Sequence, residues 1–340
     1  MQNSKPHETP SVKTVLVTGA AGFIGHYVSL ALLDRGIKVI GLDNLNDYYP
    51  VALKTARLER LTAHTGFTFH RHDISDHAGL IALPGVMDAD VVIHLAAQAG
   101  VRYSLENPFA YAASNLVGHL SILEFVRHAE KRPLLIYASS SSVYGANTKV
   151  PFSESDPVNS PVSLYAATKR ADELMSESYA RLYGMRQVGL RFFTVYGPWG
   201  RPDMAYWSFA EKILAGEPIQ VFNHGELERD FTYIDDVVSG VVATALQPMK
   251  LVNDVPHRIY NIGNNTPVQL MRFIEVLEQA IGKKAKLQFE PMQPGDVHST
   301  YADVSAIAAD YGFAPFTPLE TGIPIFIDWF RTYLENQANS

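Results

Sequence analysis

The chain contains no cysteine, which excludes disulfides, thiolate nucleophiles and cysteine-based metal sites and fits a reducing compartment. Positive charge is in short supply: 28 lysines and arginines face 35 aspartates and glutamates, a net charge of −7. A nucleic-acid surface needs an electropositive face, so no nucleic-acid partner is expected. Any anionic ligand must be held by locally placed arginines or helix N-termini, against the overall field. No uninterrupted apolar run approaches the roughly 18 residues of a bilayer span; the longest candidate, from Val237 to Leu246, is broken by Ser239, Gly240 and Thr244. Residues 1–11 are polar, contain Pro6 and Pro10 and lack the apolar core of a signal peptide; a flexible N-terminus is expected there. Internal repeats and low-complexity tracts are missing as well. These absences lead to the expectation of a soluble, cytoplasmic protein without a membrane partner.

What is present is ordinary globular material, 340 residues with 47% hydrophobic side chains, enough for about two lobes at roughly 150 residues each. In the first half, short apolar runs at 14–18, 39–42, 67–72, 91–95, 134–139 and 187–193 alternate with longer amphipathic stretches such as 24–35 and 165–183. Most of the runs are continuously apolar, as parallel strands buried on both faces are. Alternating strand and helix predicts an α/β fold with a doubly wound parallel sheet of six to seven strands and right-handed crossovers. After Phe193 the texture becomes Pro- and Gly-punctuated. A strand–helix unit at 230–246 and a strand at 258–262 are expected to return to the sheet, with helices following at 268–281 and 323–335. The smaller C-terminal α/β lobe is therefore interleaved with the first. The expected partition is 12–195 plus about 230–262 in one lobe, and about 196–229 plus 263–337 in the other.

The first predicted strand runs into Gly19-Ala20-Ala21-Gly22-Phe23-Ile24-Gly25 and a helix. In such a turn the first glycine permits the bend, the second lets backbone approach a pyrophosphate, and the third lets helix pack on strand. The anion then sits at a helix N-terminus. The next strand ends in Asp43, 18 residues beyond Gly25, close to the offset of about 20 expected for a ribose-binding acid. An acid accepts the two ribose hydroxyls and repels a 2′-phosphate, and Asn44, Leu45 and Asn46 supply no basic residue, so NAD is the expected cofactor. Asp73 and Ile74 end the third strand where adenine would lie. Leu95, Ala96 and Ala97 end the fourth with side chains that let backbone lie against a cofactor.

The fifth strand ends in four hydroxyls, Ser139 to Ser142, at the sheet edge where open α/β sheets bind ligands. Tyr165 and Lys169 follow on a long helix, four apart and hence on one face. A phenol is a feeble base at neutral pH; a neighbouring ammonium stabilises the phenolate, so the pair makes a general base. Lys169 can also hold the nicotinamide ribose. His70 and His72 share a strand face, but no local His, Asp or Glu cluster joins them, and no metal is expected.

With these residues in view, the sequence resembles the extended short-chain dehydrogenases/reductases, and among them the nucleotide-sugar epimerases and dehydratases. The resemblance runs along nearly the whole chain. It rests on the glycine turn, Asp43, Leu95-Ala96-Ala97, Ser140 to Gly145, Tyr165 with Lys169, Arg191 to Pro198 and Arg229 to Asp236. It implies a Rossmann-type fold whose C-terminal lobe clasps a UDP- or TDP-sugar, and catalysis by a Ser/Thr–Tyr–Lys set. Ser140, four residues before Tyr144, takes the hydroxyl position, with Ser142 beside it. Phe192 and Val195 are implied at the cofactor, and Ser141, Thr194, Arg102, Arg229 and Asp296 at the substrate, Arg229 as the pyrophosphate partner. After Asp296-Val297 the family often has a basic residue, where this chain has His298 and Ser299. The helices 108–128 and 165–183 are implied to form a four-helix homodimer interface.

Family members share one opening step, removal of the proton from the sugar 4-hydroxyl as hydride leaves C4, giving a 4-keto sugar. Dehydratases of the family carry an Asp-Glu pair, and decarboxylases a Glu at the second position, where this chain has Ser141 and Ser142; the resemblance therefore implies return of hydride to the other face, a 4-epimerisation. The segments from Tyr196 to Ala205 and from Asp43 to Tyr49 are similar to those of UDP-glucuronate 4-epimerases, with Arg201 expected to restrain the sugar carboxylate. UDP-glucose/galactose 4-epimerisation and UDP-glucuronate decarboxylation are the alternatives within the family. A non-catalytic NAD-sensing regulator is the alternative outside it, and the Tyr165/Lys169 pair argues against it.

Overall fold

The computed structural model describes residues 12–251, 254–292 and 297–338; the expected flexible terminus at 1–11 and Asp296 lie outside the described residues. Strands β1 (Thr14–Thr18), β2 (Lys38–Asp43), β3 (Phe67–Arg71), β4 (Val91–His94), β5 (Leu134–Ser140) and β6 (Gln187–Phe192) come first. They are followed by β7 (Thr194–Tyr196), β8 (Pro218–Phe222), β9 (Glu228–Tyr233), β10 (His257–Ile262), β11 (Pro267–Gln269), β12 (Lys286–Glu290) and β13 (Ser299–Thr300). Seven of them form one parallel sheet in the order β10-β6-β5-β4-β1-β2-β3. Chain order reverses between β1 and β4, and ligands bind outside the carboxyl ends of strands at such a switch point.

The continuous apolar runs have the expected cause. In β1, Val15 and Val17 feed one core with Val39, Ile93, Ile136 and Val188, while Leu16 feeds a second with Leu42, Val92, Leu135 and Tyr137. Each strand thus needs apolar side chains on both faces. Within this sheet only β3, at the edge, has no buried residue, its positions being half-buried or exposed. Helix α1 (Phe23–Leu33) and the helix Ile234–Leu246 pack together on one face, whereas the helix Gly118–His128 supplies Ile122, Leu123, Phe125 and Val126 to the other.

Two expectations are corrected. The strand at 230 does not return to the main sheet: β9 pairs with β7, β11 and β13 in a separate four-stranded sheet, and only the helix after it and β10 return. The reason is Asp230, fully buried, whose carboxylate accepts N–H bonds from Asn264, Asn265 and Ala302 and the Thr232 hydroxyl. A buried carboxylate is tolerated only where donors surround it, and these belong to the second lobe.

The other correction concerns length of apolar sequence. The helical stretch Pro108–His128 is long and apolar enough, by length and composition alone, to cross a membrane. Counting uninterrupted runs missed it because Ser114, Asn115 and Ser121 punctuate it. In this fold half of that stretch is buried, with Tyr111, Asn115 and Phe125 inside.

Candidate active site

The carboxyl ends of β1, β2, β4, β5 and β6 open into a cavity of about 460 Å³. The glycine turn forms its floor at the switch point. Gly19 has φ +71°, and a Cβ there would stand 2.8 Å from the backbone nitrogen of Ala96, so any side chain would push β1 and β4 apart. At Gly25 a Cβ would run into the Gly19 carbonyl, so its absence lets the first turn of α1 pack against the glycine turn.

Asp43 ends β2 nearly buried, its Oδ2 accepting from the Ala21 N–H (3.1 Å) and its Oδ1 from the Leu45 N–H (2.9 Å). Burial pushes its carboxyl upward, opposed by these bonds and by Lys54 and Arg57. Asn44 donates to Asp73 (2.9 Å); Asn44 and Ile74 line the cavity, and Asp73 does not. Gly22, Phe23, Ile24, Leu95, Ala96, Ala97, Phe192 and Val195 all line it, and Ala21 contributes only its backbone behind Asp43. This arrangement suits a dinucleotide: a cradle without Cβ atoms for the pyrophosphate and a carboxylate for ribose hydroxyls.

Opposite the turn, β5 delivers Ser140, Ser141 and Ser142. Ser140 caps a single 3₁₀ turn (Ser141–Tyr144), its Oγ accepting from the Ser142 N–H and donating to the Ser142 Oγ, both at 3.2 Å. Ser139 turns the other way and donates to Glu173 (2.6 Å). The helix Leu164–Tyr183 starts at Ser163, whose Oγ accepts from the Ala166 N–H at 3.1 Å, the expected N-cap chemistry. Tyr165 and Lys169 therefore sit in the first two turns, and both line the cavity. Lys169 is 3% exposed; its Nζ donates to the Ala138 carbonyl (3.0 Å) and to Asp172 Oδ2 (3.1 Å). Beneath the helix, Glu173 and Arg191 form a buried two-bond pair at 2.8 and 2.9 Å.

From the second lobe come Thr194, Arg201 and Arg229, all lining the cavity. Arg201 is paired to Asp203, and Asp203 also accepts from Tyr48 (3.1 Å), so a bridge of side chains crosses the mouth from the β2 side. Arg229 bonds the Glu228 and His298 carbonyls. Arg102 is not brought in: its guanidinium lies over the Phe222 ring, 5.2 Å from the centroid, outside the cavity lining. His70 and His72 each bond a backbone carbonyl, of Pro84 and Asp76, and no group of three potential metal ligands occurs among the described residues.

Lys54, Gln98, Ser114, Phe152 and Met204 also line the cavity, and sequence reasoning missed them. Lys54 reads as an ordinary helix lysine, yet its Nζ is spent on the Asn46 carbonyl and side chain, both at 2.6 Å. Arg57 is fully buried and donates to the carbonyls of Ala21, Trp199 and Gly200 and to the Tyr49 hydroxyl. It ties the glycine turn to the loop that carries Arg201. Asn115 bonds both Gln98 backbone groups and Thr168, fastening the loop after β4 to the tyrosine-bearing helix. Its signal was an amide within an apolar helix.

Residues 15–263 match the NAD dependent epimerase/dehydratase family. The chain is 47% identical to UDP-glucuronate 4-epimerase 1 of Arabidopsis thaliana, over 94% of this chain and 77% of that protein. Among solved structures it is similar to the UDP-glucuronic acid 4-epimerase of Bacillus cereus in complex with UDP-glucuronic acid and NAD, with TM-score 0.85, 34% identity, and coverage of 94% of this chain and 99% of that one. It is also similar to the UDP-glucose 4-epimerase of Thermotoga maritima with UDP-glucose, with TM-score 0.84, 30% identity and the same two coverages.

Proposed function

The chain belongs to the NAD-dependent epimerase/dehydratase family, and from that premise we propose that it interconverts UDP-glucuronate and UDP-galacturonate by inverting sugar carbon 4. The observation that carries this reading is one cavity lined by Tyr165 and Lys169 from one helix, by the three serines Ser140 to Ser142 and by Arg201, in which positions 141 and 142 bear no carboxyl group.

We assign residues 12–195, with about 234–262, to holding the dinucleotide, and about 196–233, with 263–337, to holding the nucleotide sugar. Gly19, Gly22 and Gly25 admit the pyrophosphate and Asp43 takes the adenosine ribose hydroxyls. NAD, when bound, supplies a reversible hydride acceptor at sugar carbon 4. Tyr165 takes the proton of the 4-hydroxyl, and the Lys169 ammonium stabilises the resulting phenolate. Ser140 hydrogen-bonds the sugar 4-oxygen, with Ser142 orienting Ser140. Thr194 and Arg229 hold the rest of the substrate. After the ketone turns over, Tyr165 returns its proton to the new alkoxide, so the cycle closes with no net redox change. A 4-keto uronate is a β-keto acid and loses CO₂ readily. Arg201, with the hydroxyls of Ser140 to Ser142, restrains the carboxylate away from the orientation in which CO₂ departs; a fork-shaped guanidinium suits that task.

The test is product analysis with UDP-glucuronate and no added NAD. UDP-galacturonate is expected, and Tyr165→Phe should lower its rate by ~10²- to 10⁴-fold, the usual range for a general base, with cofactor retained. UDP-xylose as the main product would overturn the reading in favour of decarboxylation. Turnover of UDP-glucose in preference to the uronate would favour the second reading, for which the likeness to the Thermotoga maritima enzyme speaks. We further propose a cytoplasmic homodimer. Its support is the set of exposed apolar side chains on the helices around 108–128 and 164–183, among them Phe109, Val117, Leu120, Leu174 and Leu182.

A further inference from the structure

Lys169 is the cation on which the proposed base depends, and its ammonium has three protons. Two are already committed inside the protein, one to the Ala138 carbonyl at 3.0 Å and one to Asp172 Oδ2 at 3.1 Å. Asp172 lies one turn further along the same helix and is 1% exposed. Its other oxygen, Oδ1, is buried and has no hydrogen-bond partner among the described residues. A carboxylate retained in that setting at the cost of an unsatisfied oxygen calls for an explanation, and helix structure alone does not need it.

We infer that Asp172 is a positioning residue for the reaction: it anchors the Lys169 ammonium in one orientation and offsets part of its positive charge, and so sets how strongly that ammonium favours the Tyr165 phenolate. The inference rests on the reading of Tyr165 and Lys169 as base and partner.

The surroundings leave Asp172 as the carboxylate that answers Lys169. Glu173, its neighbour on the helix, is committed to Arg191, Arg170 and Ser139. From Gly118–His128 comes His119, whose ring bonds Ser176 at 2.8 Å, and from β4 comes His94, bonded to Thr18 at 2.7 Å. Burial keeps both imidazoles neutral, His94 pulled down to about 3 and His119 well below the ordinary histidine value. Tyr137 of β5 is pushed well above the ordinary phenol value by burial, and it bonds His257 of β10, whose imidazole is lowered to about 4 by burial. None of these titrates near neutrality. Asp172 does: burial raises its carboxyl to about 6, with Lys169 opposing. Above that pH it is charged and withdraws part of the ammonium's field; below it the field is restored.

The experiment is the pH profile of kcat/KM with UDP-glucuronate for the wild type, Asp172→Asn and Tyr165→Phe, with Asp172→Ser as a second variant should the amide not be accommodated. Asn keeps an acceptor for Lys169 but removes the charge. The acid limb should move to lower pH by roughly one unit, the effect of one nearby charge, with the difference from wild type largest above pH 6. An acid limb that stays in place or moves upward overturns the inference. Should the variants turn over too slowly, the Tyr165-dependent phenolate absorbance, taken as the difference between Asp172→Asn and Asp172→Asn/Tyr165→Phe, reads the same shift on folded protein, and an unmoved midpoint overturns it equally. A Tyr165→Phe enzyme with wild-type turnover sinks the base assignment itself. An inactive Tyr165→Phe beside an unmoved limb in Asp172→Asn sinks only the role of Asp172.

Discussion

In the proposed reaction Arg201 is the side chain that decides which of two routes a shared ketone follows. Its guanidinium is held by Asp203, and Asp203 by Tyr48, so it is presented at the cavity in a fixed orientation instead of sweeping a cone. A bound carboxylate then competes with Asp203 for a group already aligned, which limits the entropy lost on binding. Replacing Arg201 by Met should leave the first proton transfer intact while raising the share of UDP-pentose among the products several-fold, as read by chromatography of the reaction mixture. An unchanged product ratio with intact epimerisation would place the restraint on the serine hydroxyls alone. At this scale the sequence was informative where residue type carries chemistry. Asp43, Ser140, Tyr165, Lys169 and Arg201 all line the cavity. It was silent on Phe152, Met204 and Ser114, whose types are at home in any core or loop; they reach one cavity from segments far apart in the chain, which no local pattern records. Arg102, a substrate candidate by resemblance, lies instead over the Phe222 ring outside the cavity lining, a cation–π arrangement that the sequence does not record.

The elements that carry the site owe their positions to short signals at their ends. Ser163 caps the tyrosine-bearing helix, and Gly184, with φ +64°, closes it; between them the helix is pinned to the sheet by the buried Glu173–Arg191 pair. Because Tyr165 lies in the first turn, fraying at the N-terminus moves the proposed base directly. Ser163→Ala removes the side-chain bond to the Ala166 N–H of that turn. It should destabilise the protein by about 1 kcal/mol, seen as a lower thermal midpoint, and should reduce kcat more than it raises KM. An effect on stability with kcat untouched would show that the first turn is held by packing alone. Helix ends and continuous apolar strands were legible for this reason, since each depends on a few adjacent residues. The partner of β9 was not, because its sequence suits either sheet. The choice is made by Asp230 and three backbone N–H groups at Asn264, Asn265 and Ala302, 34 or more residues away.

For the whole molecule, the remaining question is what covers the apolar face on the far side of the site. Phe109 is 83% exposed, Leu182 68% and Leu174 51%. Such side chains on neighbouring helices make an apolar patch, and large exposed patches mark interaction surfaces. The same stretch explains why Pro108–His128 passes for a membrane span by composition. Its inner half is core and its outer half is exposed, and in the proposed homodimer a second copy of the chain offers the same patch back in a two-fold arrangement. That arrangement would bury the outer faces of the helix carrying Tyr165 and of the helix carrying Asn115, so assembly and catalysis would share elements. Replacing Leu174 by Glu puts a charge in the middle of this face, and burying an unpaired carboxylate is costly. The variant should sediment as a monomer at concentrations where the native chain is a dimer, and its epimerase rate per chain should fall as the tyrosine-bearing helix loses its outer support. A native chain that is monomeric by the same measurement would dismiss the dimer, and a Leu174→Glu monomer with full activity would show that the two helices hold the site without help from a second copy.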